Sequence, residues 1–271
     1  LMTVALFERR GEAFMPTEAA GSPWHPEVLH GGSVSGLLGL VVQQWLDEWD
    51  GFMVQRLTLD LLRPVPRMLL HAQCELIRNG GRLKILNVNL WAGERLVCQA
   101  RALAQRGPGA SLPDYAPRPA EPPPGPEGLA DSSVQAMLDA KGLDLPPGLH
   151  SHVLLREVTP WDERGRSTSW VRIPVDIVAG ESTTPFMRTA LLADMGNGAG
   201  QLNLGNNTGS INADITLALS AYPASEWICI AGEAIMHDNG LGLVHSRFYD
   251  TRGEIGHVLQ TTQANPEYAG E

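Results

Sequence analysis

Positive charge is scarce in this chain of 271 residues, where 20 Lys and Arg stand against 30 Asp and Glu for a formal charge of −10. Phosphate affinity comes from clustered Lys and Arg, so the balance argues against a general nucleic-acid binder. Cysteine is scarcer still. Cys74, Cys98 and Cys229 lie far apart inside apolar runs, which suits reduced core thiols in a cytoplasmic protein better than a disulfide frame or a zinc site. No apolar run approaches the roughly 18 residues of a membrane span, and "LMTVALFERRGEAF" lacks the basic flank and long apolar core of a signal peptide. Neither a membrane span nor secretion is expected. A Gly-x-Ser-x-Gly elbow and a His pair with zinc-helix spacing are also missing, and His237, His245 and His257 are too scattered to suggest a metal. "DMGNGAG" is glycine-rich but lacks the Lys and spacing of a phosphate loop.

Proline and glycine, by contrast, are plentiful, and they divide the chain. Residues 107–127 read "GPGASLPDYAPRPAEPPPGPE", a segment that can form neither a helix nor a central strand. We therefore expect a first domain at 1–106, a linker at 107–130 and a second domain at 131–271. The two halves share one pattern. "FMVQRLTLDLL" alternates like a strand and is followed by three strands with turns at Asn-Gly-Gly and Gly93; "INADITLAL" alternates in turn and is followed by three strands with turns at Asp-Asn-Gly and Arg-Gly. The turn glycines keep step, since Gly80 to Gly93 and Gly240 to Gly253 are both 13 residues apart.

Each half also carries one long helix ahead of those strands. The first is predicted from Gly31 or Gly32 to about Glu48, with Leu38, Val41, Val42, Trp45 and Trp49 at helical spacing. The second has Ser182 or Thr183 as cap and Pro185 in the first turn, with Met187, Ala190, Leu191, Asp194 and Gly198 on one face. Two residue groups stand out. His30-Gly31-Gly32 either caps the helix or leaves backbone N–H groups open to a substrate oxygen at the positive end of the dipole. Asp194 is a carboxylate on an apolar face, which is costly to bury without partners. The repeat sharpens this contrast. Aligning "RLTL" with "DITL" sets Asn212 opposite Val54, and counting seven from the turn glycines sets Gln260 opposite Ala100, so polar groups gather in the second half alone.

"HGG", "ADMGNG", "INADITLAL", "EWICIAGEA" and "RGEIGHVLQ" together resemble the double hotdog acyl-CoA thioesterases of the bacterial acyl-CoA thioesterase II type, over nearly the whole chain apart from the Pro-rich segment. The resemblance implies an α+β double hotdog: two tandem antiparallel sheets, each wrapped around a long helix. It further implies that an Asp, a hydroxyl or amide side chain and a Gln orient an attacking water. These fall on Asp194, Asn212 and Gln260, with Asn212 departing from the usual Thr and with Thr216 or Ser210 as its alternatives. The resemblance also implies that the His-Gly-Gly helix start of one copy faces the carboxylate of the other. Here the ninth residue after His30 is Gly39, while nine before Asp194 lies Pro185, so each half keeps one part and one complete site per chain results.

The expected reaction is hydrolysis of a small-molecule acyl-CoA at the seam between the halves. His30, Gly31 and Gly32 would bind substrate, Asp194, Asn212 and Gln260 would activate water, and no metal or cofactor would be needed. The opposite seam, near Gly39 and Pro185, is expected to lack a comparable polar group, and Gly39→Ala to be nearly silent. The rival reading is a non-catalytic acyl-binding or scaffold protein with a decayed site. A hydratase ranks lower, because no His lies within a turn of Asp194 in sequence. Trp24 and the Pro-rich segment are candidates to cover the pocket, and a homo-oligomer is expected.

Overall fold

A computed structural model of the chain describes residues 3–205 and 208–265. The first half contributes β1 (Ala5–Arg10), β2 (Ala13–Pro16), α1 (Gly31–Leu46), β3 (Met53–Leu61), β4 (Leu70–Asn79), β5 (Leu83–Ala92) and β6 (Arg95–Gln105). After the Pro-rich segment come β7 (Ser132–Ser133), α2 (Val134–Ala140), β8 (Leu154–Asp162), β9 (Arg166–Arg172), β10 (Asp176–Val178), α3 (Pro185–Leu192), α4 (Met195–Ala199), β11 (Gly209–Asn212), β12 (Asp214–Leu219), β13 (Ile228–Met236), β14 (Leu241–Asp250) and β15 (Gly253–Asn265).

Strand order shows the repeat directly. The first half reads β1-β2-β4-β5-β6-β3 and the second β8-β9-β13-β14-β15-β12, so each strand has a counterpart at the same place. The two sheets are hydrogen-bonded into one through β3 and β12, which run antiparallel with Thr58 opposite Thr216. β10 adds in parallel to β1 on the far edge of the first half and leads into α3. The strand pairs ahead of each helix, β1–β2 and β8–β9, were not read from the sequence, although the reversal between β1 and β2 carries its own signal in Gly11 at φ 64°.

The helices lie in the core. α1 has four interior or first-turn glycines, each costing up to about 1 kcal/mol of helix stability relative to alanine, and three of them, Gly32, Gly36 and Gly39, line the side turned to α3. A Cβ at Gly36 would stand 3.2 Å from Leu191 Cδ1, and one at Gly39 would stand 2.7 Å from Ala190 Cβ. Ser35 Oγ, between them, donates to the Ala190 carbonyl at 2.6 Å. The helices run antiparallel, since Gly32 meets Leu191 while Gln43 meets Thr184.

The second helix differs from the expectation in two ways. Its cap is Thr184, whose hydroxyl accepts the Met187 N–H at 3.3 Å, because Pro185 takes the first helical position and leaves the residue before it as the cap. It is also broken. α3 ends at Leu192, and Asp194 becomes the residue before α4, whose sequence holds Gly196 and Gly198.

The Pro-rich segment lies against the outer face of the second sheet and does not cover the helices. Trp170 Nε1 donates to the Pro124 carbonyl at 2.7 Å, Arg156 to the Pro126 carbonyl, and the Glu254 N–H to the Ala120 carbonyl. Trp170 alternates with Ser167 and Ser169, and Ser167 bonds to Ala199 on the helix side, so the tryptophan faces outward. Trp24 is more than half exposed.

The contact at Gly39 corrects the view that this position tolerates change. Gly39→Ala must force the helices apart or displace Ala190, at a typical overpacking cost of about 1–3 kcal/mol. Urea unfolding should show the midpoint falling accordingly, and an unchanged midpoint would contradict the close crossing.

Candidate active site

Antiparallel packing sets the N-terminus of α1 against the C-terminal end of α3, and there Asp194 crosses the seam. Its carboxylate lies directly over Gly31: a Cβ on that glycine would stand 2.6 Å from Asp194 Oδ2. Gly32 is equally confined, with Leu149 Cδ2, the Leu191 carbonyl and Met195 Cε all within about 3.1 Å of the place its Cβ would take. Both glycines are therefore required by close approach. The positive end of the α1 dipole faces the carboxylate.

His30 caps α1. Its Nδ1 accepts the Gly32 N–H at 2.9 Å and stands 3.3 Å from Asp194 Oδ2. Burial holds its pKa below the ordinary 6.5, opposed by the Asp194 charge, so the neutral ring is favoured. With Nδ1 accepting, the ring proton sits on Nε2. The absence of a histidine near Asp194 in sequence is thus not an absence in space, and the ground for ranking a hydratase low falls away. The role of His30 as a helix cap is what the geometry shows.

The other carboxylate oxygen, Oδ1, receives two amides. Asn212 Nδ2 lies at 3.2 Å and Gln260 Nε2 at 3.4 Å. Gln260 is inward-facing on β15, fully buried, opposite Val244. Asn212 reaches the site by an irregularity. Asn212 pairs with Thr262 but Thr216 with Leu259, a one-residue slip at Ala213 that separates β11 from β12. Such a bulge re-aims a side chain, so that Asn212 contacts Asp194 although Ile215, three residues on, is the next buried position. Of the alternatives, Ser210 accepts from Gln201 Nε2 at 3.4 Å and Thr216 pairs across the junction with Thr58. All six residues expected at the site, His30, Gly31, Gly32, Asp194, Asn212 and Gln260, thus come together.

Sequence reading missed three neighbours. Asn197 Nδ2 donates to Asn212 Oδ1 at 3.3 Å. Ser246 Oγ lies 2.5 Å from the place where a Gly196 Cβ would stand, beside Gln260 Oε1. His150, from the 3₁₀ turn Leu149–His152, is buried with neither ring nitrogen hydrogen-bonded among the described residues, and it interacts electrostatically with His30. Asn197 stands three residues after Asp194 within "ADMGNG", whereas nothing in their spacing signals Ser246 or His150, which reach the site through tertiary packing.

The opposite seam is not bare. Thr184 Oγ1 donates to Gln43 Oε1 at 2.8 Å. Both groups are neutral, whereas the first seam holds an ionisable pair. His245 and His257, read as scattered, stack with ring centroids 5.2 Å apart on the outer face. Among the described residues no group of three or more His, Cys, Asp or Glu is placed to hold a metal, and no helix is long and apolar enough to cross a membrane.

Comparison with known proteins gives the family and the fold. Residues 20–107 match the model of the acyl-CoA thioesterase N-terminal domain and residues 116–264 that of the acyl-CoA thioesterase C-terminal domain. No curated protein matches the sequence significantly. Among solved structures, an acyl-CoA thioesterase II from Mycobacterium marinum is similar over 95% of this chain and 93% of its own, at 16% identity and TM-score 0.63. The tesB protein of Mycobacterium avium subsp. paratuberculosis is similar over 96% of each chain, at 16% identity and TM-score 0.62. A conserved protein of unknown function with a hotdog fold, from Alicyclobacillus acidocaldarius, is similar over 96% of this chain and 95% of its own, at 12% identity and TM-score 0.68. At these identities the likeness establishes the fold, an α+β hotdog.

The state of His150 generates a pH prediction. Burial, then the nearby His30 and His152, push its pKa down to about 4 from 6.5. Below pH 6.5 the unfolded chain therefore binds a proton that the folded chain refuses. The stability is complete above 6.5 and is lost as pH falls toward about 4, at up to about 1.4 kcal/mol per pH unit for one proton. His150→Phe should flatten urea-midpoint profiles across that window, and identical slopes in the two proteins would contradict the assignment.

Proposed function

The chain belongs to the acyl-CoA thioesterase family, and on that premise we propose that it hydrolyses an acyl-CoA thioester to the free acid and CoA through a water activated by Asp194. The observation that carries this reading is the convergence on one carboxylate of two amides from the second half and a glycine helix start from the first. We read residues 1–106 and 131–271 as the two hotdogs that meet at this seam, with 107–130 between them.

In the proposed reaction the thioester carbonyl oxygen takes a place at the start of α1, near the N–H groups of Gly31 and Gly32. The Gly32 N–H is held by the His30 ring in the resting protein, and an oxyanion is a stronger acceptor than a neutral imidazole. The His30 ring therefore gives up the Gly32 N–H to the substrate as charge develops. Asn212 and Gln260 hold the water beside Asp194, which takes its proton as the hydroxide adds to the carbonyl carbon. The carbon–sulfur bond then breaks, and the proton on Asp194 passes to the departing thiolate. His30 Nδ1, close to Oδ2, is placed to share that proton while Asp194 holds it. The acyl group lies along the apolar side of the seam, toward Leu149 and Met195. This proposal needs no metal or cofactor.

The His30–Asp194 contact is the one observation that favours a hydratase, which uses such a pair to add water across a double bond. One feature supports hydrolysis instead: the carboxylate is bracketed by two amides that can hold a water beside it. Self-association is proposed as well, supported by Ile235, Leu243 and Leu259 standing exposed on the outer face of β13 to β15. A monomeric mass by light scattering would exclude it.

Free-thiol release from a panel of acyl-CoAs tests the reaction. Asp194→Asn keeps the shape of the side chain and removes its basicity, so turnover should fall by about 10²–10⁴-fold with acyl-CoA binding nearly intact. Equal rates in wild type and variant would sink the Asp194 mechanism. Binding without hydrolysis by wild type would leave an acyl-binding protein, and hydration of an enoyl-CoA without thiol release would leave a hydratase.

A further inference from the structure

Only one end of the Gln260 amide is accounted for by the proposed reaction. Nε2 donates to Asp194 Oδ1 at 3.4 Å, whereas Oε1 is buried without a hydrogen-bond partner among the described residues. A second buried oxygen nearby shares that condition. Ser246 Oγ is fully shielded from solvent and equally unpartnered. The two belong to adjacent strands, with Ser246 opposite Val258 on β14–β15 and Val244 opposite Gln260, which makes Ser246 and Gln260 diagonal neighbours on the inward face.

Both oxygens crowd the same side of Gly196, whose Cβ would stand 2.5 Å from Ser246 Oγ and 2.9 Å from Gln260 Oε1. Glycine at 196 leaves the room in which they meet. A carboxamide oxygen can only accept, while a hydroxyl carries a donor that rotates to suit. Leaving both unpaired in the interior is costly. A rotation of the Ser246 side chain, or one bridging water, would let its hydroxyl donate to Oε1 and satisfy the pair.

We infer that Ser246 is a positioning residue whose hydroxyl holds Oε1 of Gln260 and so fixes which end of the amide faces Asp194. A flipped amide would set Oε1 against the carboxylate, acceptor against acceptor, and could not hold the water in the same way. Asn212 shows the same arrangement already closed. Its oxygen receives Asn197 Nδ2 at 3.3 Å while its own Nδ2 donates to Asp194 at 3.2 Å. Each amide that faces the carboxylate is thus backed by a second polar side chain. The inference rests on the thioesterase reading of the site and adds to it a residue that touches neither substrate nor Asp194.

A double-mutant cycle tests it, with free-thiol release measured on whichever acyl-CoA, from acetyl to palmitoyl, the wild type turns over fastest. Ser246→Ala should lower kcat by about five- to tenfold with KM unchanged, and should add no further loss in a Gln260→Ala background, because the hydroxyl acts through that amide alone. Ser246→Cys keeps the size and a weak donor, should fall between wild type and alanine, and replaces the alanine variant in the cycle if that variant does not fold. If Gln260→Ala is impaired but Ser246→Ala keeps full kcat, or if the two losses add in full, the role of Ser246 is overturned and the proposed reaction stands. If Gln260→Ala keeps full kcat, or wild type releases no thiol, the proposed reaction fails and this inference fails with it.

Discussion

Asp194 can stand over the start of α1 only because Gly31 has no side chain, and that single close approach organises the rest of the molecule. Oδ2 lies 2.6 Å from the position a Cβ would occupy, so any larger residue would push the carboxylate out of the seam. The approach is not local to one glycine. Gly32, Gly36 and Gly39 continue it along the face of α1 turned to α3, and Ser35 ties the two helices through the Ala190 carbonyl. A helix so rich in glycine is intrinsically weak. Its burial between the first sheet and α3 compensates, and the close helix crossing carries an acidic group of one half to the backbone of the other.

The same packing makes the electrostatics work. The helices are antiparallel, so the positive end of α1 meets the residue that follows the C-terminal end of α3, where a carboxylate would otherwise face the negative end of its own helix. Two amides on Oδ1 and the helix start beside Oδ2 give the buried charge partners on both sides. The pseudo-twofold relation of the halves produces a second seam, but Gln43 and Thr184 fill it with one neutral hydrogen bond. One fold repeated twice therefore yields two chemically different seams.

Much of this was legible in the sequence because it depended on periodicity. The helix from Gly31, the strands after it and the matched turn glycines follow from spacing that one chain carries in itself, whereas the pairing of His-Gly-Gly with Asp194 is what the resemblance to the thioesterases implies. What escaped was decided by tertiary contacts. The break at Asp194 leaves the helical pattern of Met187, Ala190 and Leu191 intact, so periodicity runs through it. The bulge at Ala213 that turns Asn212 inward is one residue of register. His150 and Ser246 come from a short turn and from an ordinary alternating strand, and nothing in their neighbours marks them. His30 and Asp194 stand in different halves of the chain, a separation in sequence that the fold cancels.

The central claim is that one seam, made by the α1 start and the second-half carboxylate, holds the thioester. A crystal structure of Asp194→Asn with an unhydrolysed acyl-CoA tests it most directly. The account predicts the thioester carbonyl oxygen within about 3.2 Å of a Gly31 or Gly32 N–H, with its carbon facing the introduced amide across the gap spanned by Asn212 and Gln260. An acyl group seated at the Gln43–Thr184 seam, or a carbonyl turned away from the start of α1, would contradict it.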